Sequence, residues 1–215
     1  MELLYAMMQH YYDRSDAGRQ LALALSAYRN SDALLLAIPR GGVPVAYEVA
    51  KALRLNMELL LVKKIGHPVN PEYAIGAVSI EDAYMVQHAD VSEAYLREAC
   101  SKVRNRLVEM QRLWCIGTSV NARQGRTVII VDDGIATGST LYMAVQLLRK
   151  AQPKKIVVAV PAAPSAALHK LSAVADEVVC PFVSDAFTGV GAFYLHFEEL
   201  SDAEVSRFIK LLHSS

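Results

Sequence analysis

Short apolar runs and longer amphipathic stretches take turns along this chain. Ala33 to Ile38, Met57 to Lys63, Val128 to Val131 and Ile156 to Val160 are apolar at most successive positions. A strand with one wet face would alternate, so these runs predict parallel strands covered on both faces. Apolar residues at helical spacing predict helices from about Arg14 to Tyr28, Pro44 to Leu53, Ser92 to Trp114, Leu141 to Lys150 and Asp202 to Leu212, with a short one from Ser165. Another strand is expected at Glu177 to Val183, and a Gly/Pro-marked segment runs to about His88. Strand and helix alternating in this way predict an α/β fold with a parallel β-sheet flanked by helices. Residues 1–215 read as a single domain, without repeat, low-complexity tract or linker.

Composition narrows the classes of function. At 215 residues and 53% hydrophobic content the chain can fill one substantial core. Lys plus Arg and Asp plus Glu are 22 each, so no overall field draws it to nucleic acid or an anionic membrane, and neither partner is expected. Cys100, Cys115 and Cys180 are odd in number and lack Cys-x-x-Cys spacing, so they read as reduced thiols. No apolar run approaches the roughly 20 residues of a membrane span, and the N-terminus lacks a secretory pattern. A cytoplasmic protein is expected.

The stretch from Thr127 to Thr140, TVIIVDDGIATGST, concentrates the chemistry. Asp132 and Asp133 fall at the carboxyl end of a strand, the edge where open α/β sheets bind ligands. Gly134 and Gly138 permit backbone conformations closed to other residues, and Thr137, Ser139 and Thr140 bring hydroxyls to the start of the next helix. Unpaired amides and the positive end of the helix dipole favour a phosphate there. Two adjacent carboxylates would repel that phosphate, so they are expected to face sugar hydroxyls or a hydrated Mg²⁺. The pattern is that of a site for a phosphorylated ribose; a plain strand-turn-helix junction with an accidental Asp pair is the alternative. A Walker A loop and a dinucleotide fingerprint are both excluded, because neither glycine spacing occurs.

Ile38-Pro39-Arg40-Gly41-Gly42-Val43-Pro44 again follows an apolar run and precedes a helix. Gly41 and Gly42 can present consecutive amides as an anion nest, and Arg40 adds a forked cation. A glycine-rich turn packing strand to helix is the alternative. Of Lys63 and Lys64, strand alternation sends only one toward the crevice. Lys64 is the expected one, against the alternative of a solvated lysine pair at a strand end.

The TVIIVDDGIATGST stretch resembles the 5-phosphoribosyl-1-pyrophosphate (PRPP) motif of type I phosphoribosyltransferases. Gly134 stands where many members carry an apolar residue, a spelling similar to an uncharacterised bacterial branch. The likeness runs from about Asp13 to Val205 and implies that family's fold, with a small hood built mainly by C-terminal segments. It implies that Asp132 and Asp133 hold the ribose hydroxyls and contact Mg²⁺ through water. Gly134, Ala136, Thr137, Gly138, Ser139 and Thr140 would take the ribose and 5-phosphate. Arg40, Gly41, Gly42 and Lys64 would hold pyrophosphate, in a loop that often carries a cis peptide.

Ile65 to Ala77 matches the family's flexible catalytic loop, with Glu72 a catalytic candidate, although a structural hairpin fits as well. Phe187 and Tyr194 fall where the family builds its nucleobase pocket and could stack on a base, core aromatics being the alternative. Asp16, Arg19 and their helix read as scaffold. The reaction implied is displacement at the anomeric carbon of Mg²⁺-bound PRPP by a ring nitrogen, with loss of pyrophosphate. A homodimer is implied by resemblance alone, the helix Ser92 to Trp114 serving either as interface or as cover for a sheet face. A PRPP-sensing regulator on the same fold is the alternative reading. It would want a basic patch or an added DNA-binding segment, and neither is expected here.

Overall fold

In the computed structural model, residues 11–71, 73–114, 123–186 and 188–213 are described. In chain order the elements are α1 (Arg14–Ala24), β1 (Leu34–Ala37), α2 (Gly42–Leu53), β2 (Asn56–Leu59), β3 (Lys63–Gly66), β4 (Ala74–Val78), β5 (Ala83–Met85), α3 (Glu93–Leu113) and β6 (Thr127–Val131). They continue with α4 (Ser139–Arg149), β7 (Lys155–Ala159), β8 (Ala162–Ala163), α5 (Ser165–Ser172), β9 (Glu177–Val179), β10 (Phe182–Val183) and α6 (Asp202–His213).

The main sheet is parallel throughout, with strand order β2-β1-β6-β7-β9. Its period-two alternation explains the continuous apolar runs. Leu34, Leu36, Val128, Ile130, Ile156 and Val158 face the side covered by α4 and α5. Leu35, Ala37, Ile129, Val131, Val157 and Ala159 face α1, α2 and α6. Burying each large aliphatic side chain contributes about 1.5–3 kcal/mol before conformational entropy is counted. On that second side α1 lies close on α2, because a Cβ at Gly18 would stand 2.6 Å from the Val45 carbonyl oxygen. Asp13 caps α1 by accepting from the Asp16 amide, which sets Arg14 in the first turn.

Two expected strands divide. The run from Met57 to Lys63 leaves the sheet after Leu59, although Leu60, Leu61 and Val62 stay buried, and Lys63 opens a β3–β4–β5 antiparallel sheet. An apolar run reports burial, and here burial continues through a crossing between two sheets. The strand expected over Glu177 to Val183 breaks at Cys180-Pro181, where Pro181 has no amide to donate. The Phe182 amide turns instead to the Pro161 carbonyl at 3.1 Å, and β10 pairs with β8 outside the main sheet. The first helix stops at Ala24, and a 3₁₀ turn, Ser26–Tyr28, completes the expected span.

The C-terminal hood is present as β8, β10 and the 3₁₀ turn Val190–Phe193, closed by Tyr11 and Tyr194. Within the expected loop, Ile65 and Gly66 belong to β3 and Ala74 to Ala77 to β4, which pair as a hairpin. Helix α3 packs Tyr95, Leu96, Ala99 and Val103 on Ile65, Ile75 and Val78 of that sheet, so it covers a sheet face. Among the described residues no helix is long and apolar enough to cross a membrane.

Candidate active site

Strands β1 and β6 are neighbours whose connections leave in opposite directions, to β2 on one side and β7 on the other. A crevice opens at such a switch point, beyond the carboxyl ends of the strands. The loop after β1 and the loop after β6 therefore emerge side by side. Their contact is tight: a Cβ on Gly41 would overlap the Asp133 carboxylate, and one on Gly42 would stand 2.5 Å from the Val131 carbonyl oxygen. Both glycines are needed for this close approach, and the expected nest of two free amides is not formed, because the Gly42 amide donates to the Ile38 carbonyl at 3.0 Å. The Pro39-Arg40 peptide is cis.

Asp132 and Asp133 are held by contacts from both ends of the chain. Arg14 Nε donates to Asp133 Oδ2 at 2.8 Å, with only 11% and 13% of the two side chains exposed. The same guanidinium lies 3.8 Å from the Phe197 ring centroid and donates to the Glu198 carbonyl at 2.9 Å. Tyr194 donates its hydroxyl to the Asp133 carbonyl at 2.5 Å, and Asp132 Oδ1 accepts from the Asp133 amide at 2.9 Å. Arg14 escaped the sequence reading because nothing in its local pattern separates it from any other first-turn residue. Removing it would leave Asp133 uncompensated, so Arg14→Ala is expected to cost about 3–5 kcal/mol in urea unfolding, as for other broken buried pairs.

Burial, then the charge of Asp133, pushes the Asp132 carboxyl well above the ordinary carboxylate range. Burial raises Asp133 too, with Arg14 opposing. The Asp132 carboxyl thus binds its proton more tightly folded than unfolded, where its pKa is about 3.9. The resulting cost to stability is absent below that value and grows as pH rises toward the folded one. Asp132→Asn is therefore expected to raise the melting temperature at neutral pH and to change it little in acid, a comparison that calorimetry at two pH values makes directly.

The phosphate-cradle candidates converge at the start of α4. Gly138, at φ +68°, precedes the helix in the left-handed region that favours glycine. In the first turn the Tyr142 amide donates to the Gly138 carbonyl at 2.8 Å. Thr137 Oγ1 accepts from the Ser139 amide at 3.4 Å and lies 3.2 Å from Ser139 Oγ. Ala136 and Thr137 are exposed, while Ser139 and Thr140 are partly buried. Lys170 of α5, which the sequence left among helix residues, places Nζ 3.1 Å from Ser139 Oγ and adds a cation beside the cradle. Gly134 has its own reason: a Cβ there would come within 2.6 Å of Val190, so the hood fills the space that a side chain would need.

Beside Asp133 lies a cavity of about 480 Å³ whose walls include Arg14, Arg40, Lys63, Arg106 and Glu199. Three expectations change here. Lys63, rather than Lys64, lines the cavity, because the strand that carries them is the first of the antiparallel cap. Arg40 turns its guanidinium to Asp202 and Glu199 at 3.0 and 3.3 Å. Tyr194 is 6% exposed, stacked on Phe197 and flanked by Tyr11, so it supports Asp133 and offers no open face to a base. Glu72 and Phe187 lie outside the described residues.

Among the described residues no three His, Cys, Asp or Glu side chains form a metal cage. Mg²⁺ commonly keeps several waters and uses one or two carboxylates with substrate phosphates. Asp132 and Asp133 fit that role as partners of a substrate-borne ion.

The phosphoribosyl transferase domain model matches residues 10–198. Two Mycobacterium tuberculosis proteins, MT0597 and Rv0571c, provisionally named phosphoribosyl transferases, are each 40% identical over 212 residues, 96% of this chain. The match is 48% of each relative, so the chain spans about half their length. The crystal structure of TT1426 from Thermus thermophilus superposes with a TM-score of 0.84 at 37% identity, covering 93% of this chain and 97% of that one. The acidic pair, the glycine loop packed against it and the helix-capped cradle thus stand in a chain that belongs to the phosphoribosyl transferase family.

Proposed function

We propose that this protein is a pentosyltransferase that moves the 5-phosphoribosyl group of PRPP to a ring nitrogen of a nucleobase or another nitrogen heterocycle, releasing pyrophosphate. The observation that carries the reading is the meeting of three parts at one switch point: the α4 cradle, the acidic pair and the Gly41-Gly42 loop packed on Asp133. A phosphate, a ribose and a diphosphate need those parts in that order.

In this reading the Gly134 to Thr140 turn, with Lys170, holds the 5-phosphate, and Asp132 and Asp133 accept hydrogen bonds from the ribose hydroxyls. The Gly41 amide faces the diphosphate, while the Gly42 amide stays with the Ile38 carbonyl at 3.0 Å. Asp132 and Asp133 would hold Mg²⁺, which would neutralise charge on the leaving group. The acceptor nitrogen bonds to the anomeric carbon as the carbon–oxygen bond to pyrophosphate breaks, and the acceptor gives up its proton. The chain contributes position and preorganised charge. Glu72 as a catalytic group and Phe187 as a base contact belong to this proposal on the strength of the family likeness, as do a cytoplasmic setting and a homodimer.

Pyrophosphate release from PRPP and Mg²⁺ across a panel of purine and pyrimidine bases tests the reading. Release that depends on one base names the acceptor. PRPP binding without release for any base would favour a PRPP-sensing regulator instead.

A further inference from the structure

A second cavity, of about 130 Å³, lies at the far end of α4 from the phosphate cradle. The eleven residues of α4, at about 1.5 Å each, separate the two by roughly 16 Å. Its walls come from the turn between β4 and β5, from the end of α4 and from Arg123 ahead of β6. Leu60, Leu147 and Leu148, all buried, give it an apolar floor.

Most of the polar lining is already engaged. Lys150 Nζ donates to Asp82 Oδ1 at 3.0 Å and to the Ala83 carbonyl at 2.6 Å, so one cation and one carboxylate cancel. Ser79 Oγ accepts from the Asp82 amide at 3.0 Å and donates to the Asp82 carbonyl at 3.3 Å. Glu81 is exposed at the edge. Arg123 is the exception. Its Nε is shut off from solvent and has no hydrogen-bond partner among the described residues. Burial raises the Glu58 carboxyl on the edge strand β2, and the Arg123 charge opposes that rise without an ion pair between the two. A buried, charged donor without a partner is costly, so the position favours an oxyanion.

We infer that this cavity binds a small carboxylate, whose oxygens meet the Arg123 fork while a short aliphatic part lies on Leu60, Leu147 and Leu148, and that its occupation is felt at the substrate site. The planar guanidinium matches a carboxylate in two parallel hydrogen bonds. The apolar floor discriminates against a bare, strongly hydrated anion, and Glu81 and Asp82 favour one negative charge over two. An occupant that ties the β4–β5 turn to α4 acts in two directions. Val78, next to that turn, pairs with Lys63 of the substrate cavity, and α4 begins at the cradle. The site stands apart from the transferase reading; its effect on PRPP rests on that reading.

Calorimetric titration of the full chain with butyrate, and with inorganic phosphate as the contrasting anion, tests the assignment. Butyrate is expected to bind, with affinity lowered at least about tenfold in Arg123→Ala and recovered in part in Arg123→Lys. Ala151→Leu, which fills the cavity and leaves Arg123 in place, is expected to block binding too, and melting curves check that each variant folds. Saturating butyrate is expected to shift PRPP affinity about fivefold or more in the unaltered chain and not in Arg123→Ala. Absence of butyrate binding, binding retained in folded Arg123→Ala, or phosphate held as tightly as butyrate would overturn the site. Butyrate bound with no shift in PRPP affinity would overturn the coupling. A chain that binds butyrate but no PRPP would overturn the transferase reading and leave the site standing.

Discussion

Asp132→Asn combined with Asp133→Asn is expected to abolish base-dependent pyrophosphate release, by about three orders of magnitude or more, in a chain that still folds. The loss follows because charge-assisted contacts to the ribose and to hydrated Mg²⁺ become neutral ones, and removing one such preorganised group costs about 10²–10³ in rate. Folding survives for a separate reason. The double substitution removes a burial cost that raises both carboxyl pKa values, and the Asp133 charge that raises Asp132 further. It also removes Arg14's counter-charge, but the amide that replaces the Asp133 carboxylate keeps an acceptor oxygen for the Arg14 fork. Circular dichroism confirms the fold and an assay of pyrophosphate release reads the activity. Activity retained by the folded double variant would refute the role assigned to the pair.

The next largest effect is expected from Gly41→Ala. Its new methyl would occupy the place of the Asp133 carboxylate. Either the loop after β1 withdraws or Asp133 swings from Arg14, whose Nε lies 2.8 Å away. Overpacking of this kind costs about 1–3 kcal/mol. Activity should suffer more, because a displacement of about 1 Å between reacting groups can cost 10²-fold. A melting curve and a turnover assay on the same preparation separate the two losses. A variant with wild-type turnover would mean that the loop and the carboxylate are not used together.

Sequence reading alone reached the α/β class, the parallel strands and the two loops that meet at the switch point. These features are local. Period, turn residues and a Gly-x-hydroxyl helix start are written in consecutive positions, and Val128 to Val131 followed by Asp132 and Asp133 needs no distant partner to be read. The same locality misled at two places. Leu60 to Val62 continued an apolar run without continuing a strand, and Lys63 and Lys64 could be told apart only after the antiparallel cap was seen.

What the tertiary structure decided is which distant side chains stand around those local motifs. Arg14 reaches Asp133 across 119 positions because the Gly18 contact sets α1 against α2. Arg40, in the cavity wall, is tied down because α6 returns with Asp202, and Tyr194 becomes a buried support because the hood folds back onto Tyr11. Each outcome depends on helix crossings and chain returns, whose energies are summed over many weak contacts spread along the chain. No short window of residues contains that sum, so the sequence by itself determined the motifs and their chemistry, and packing determined their neighbours.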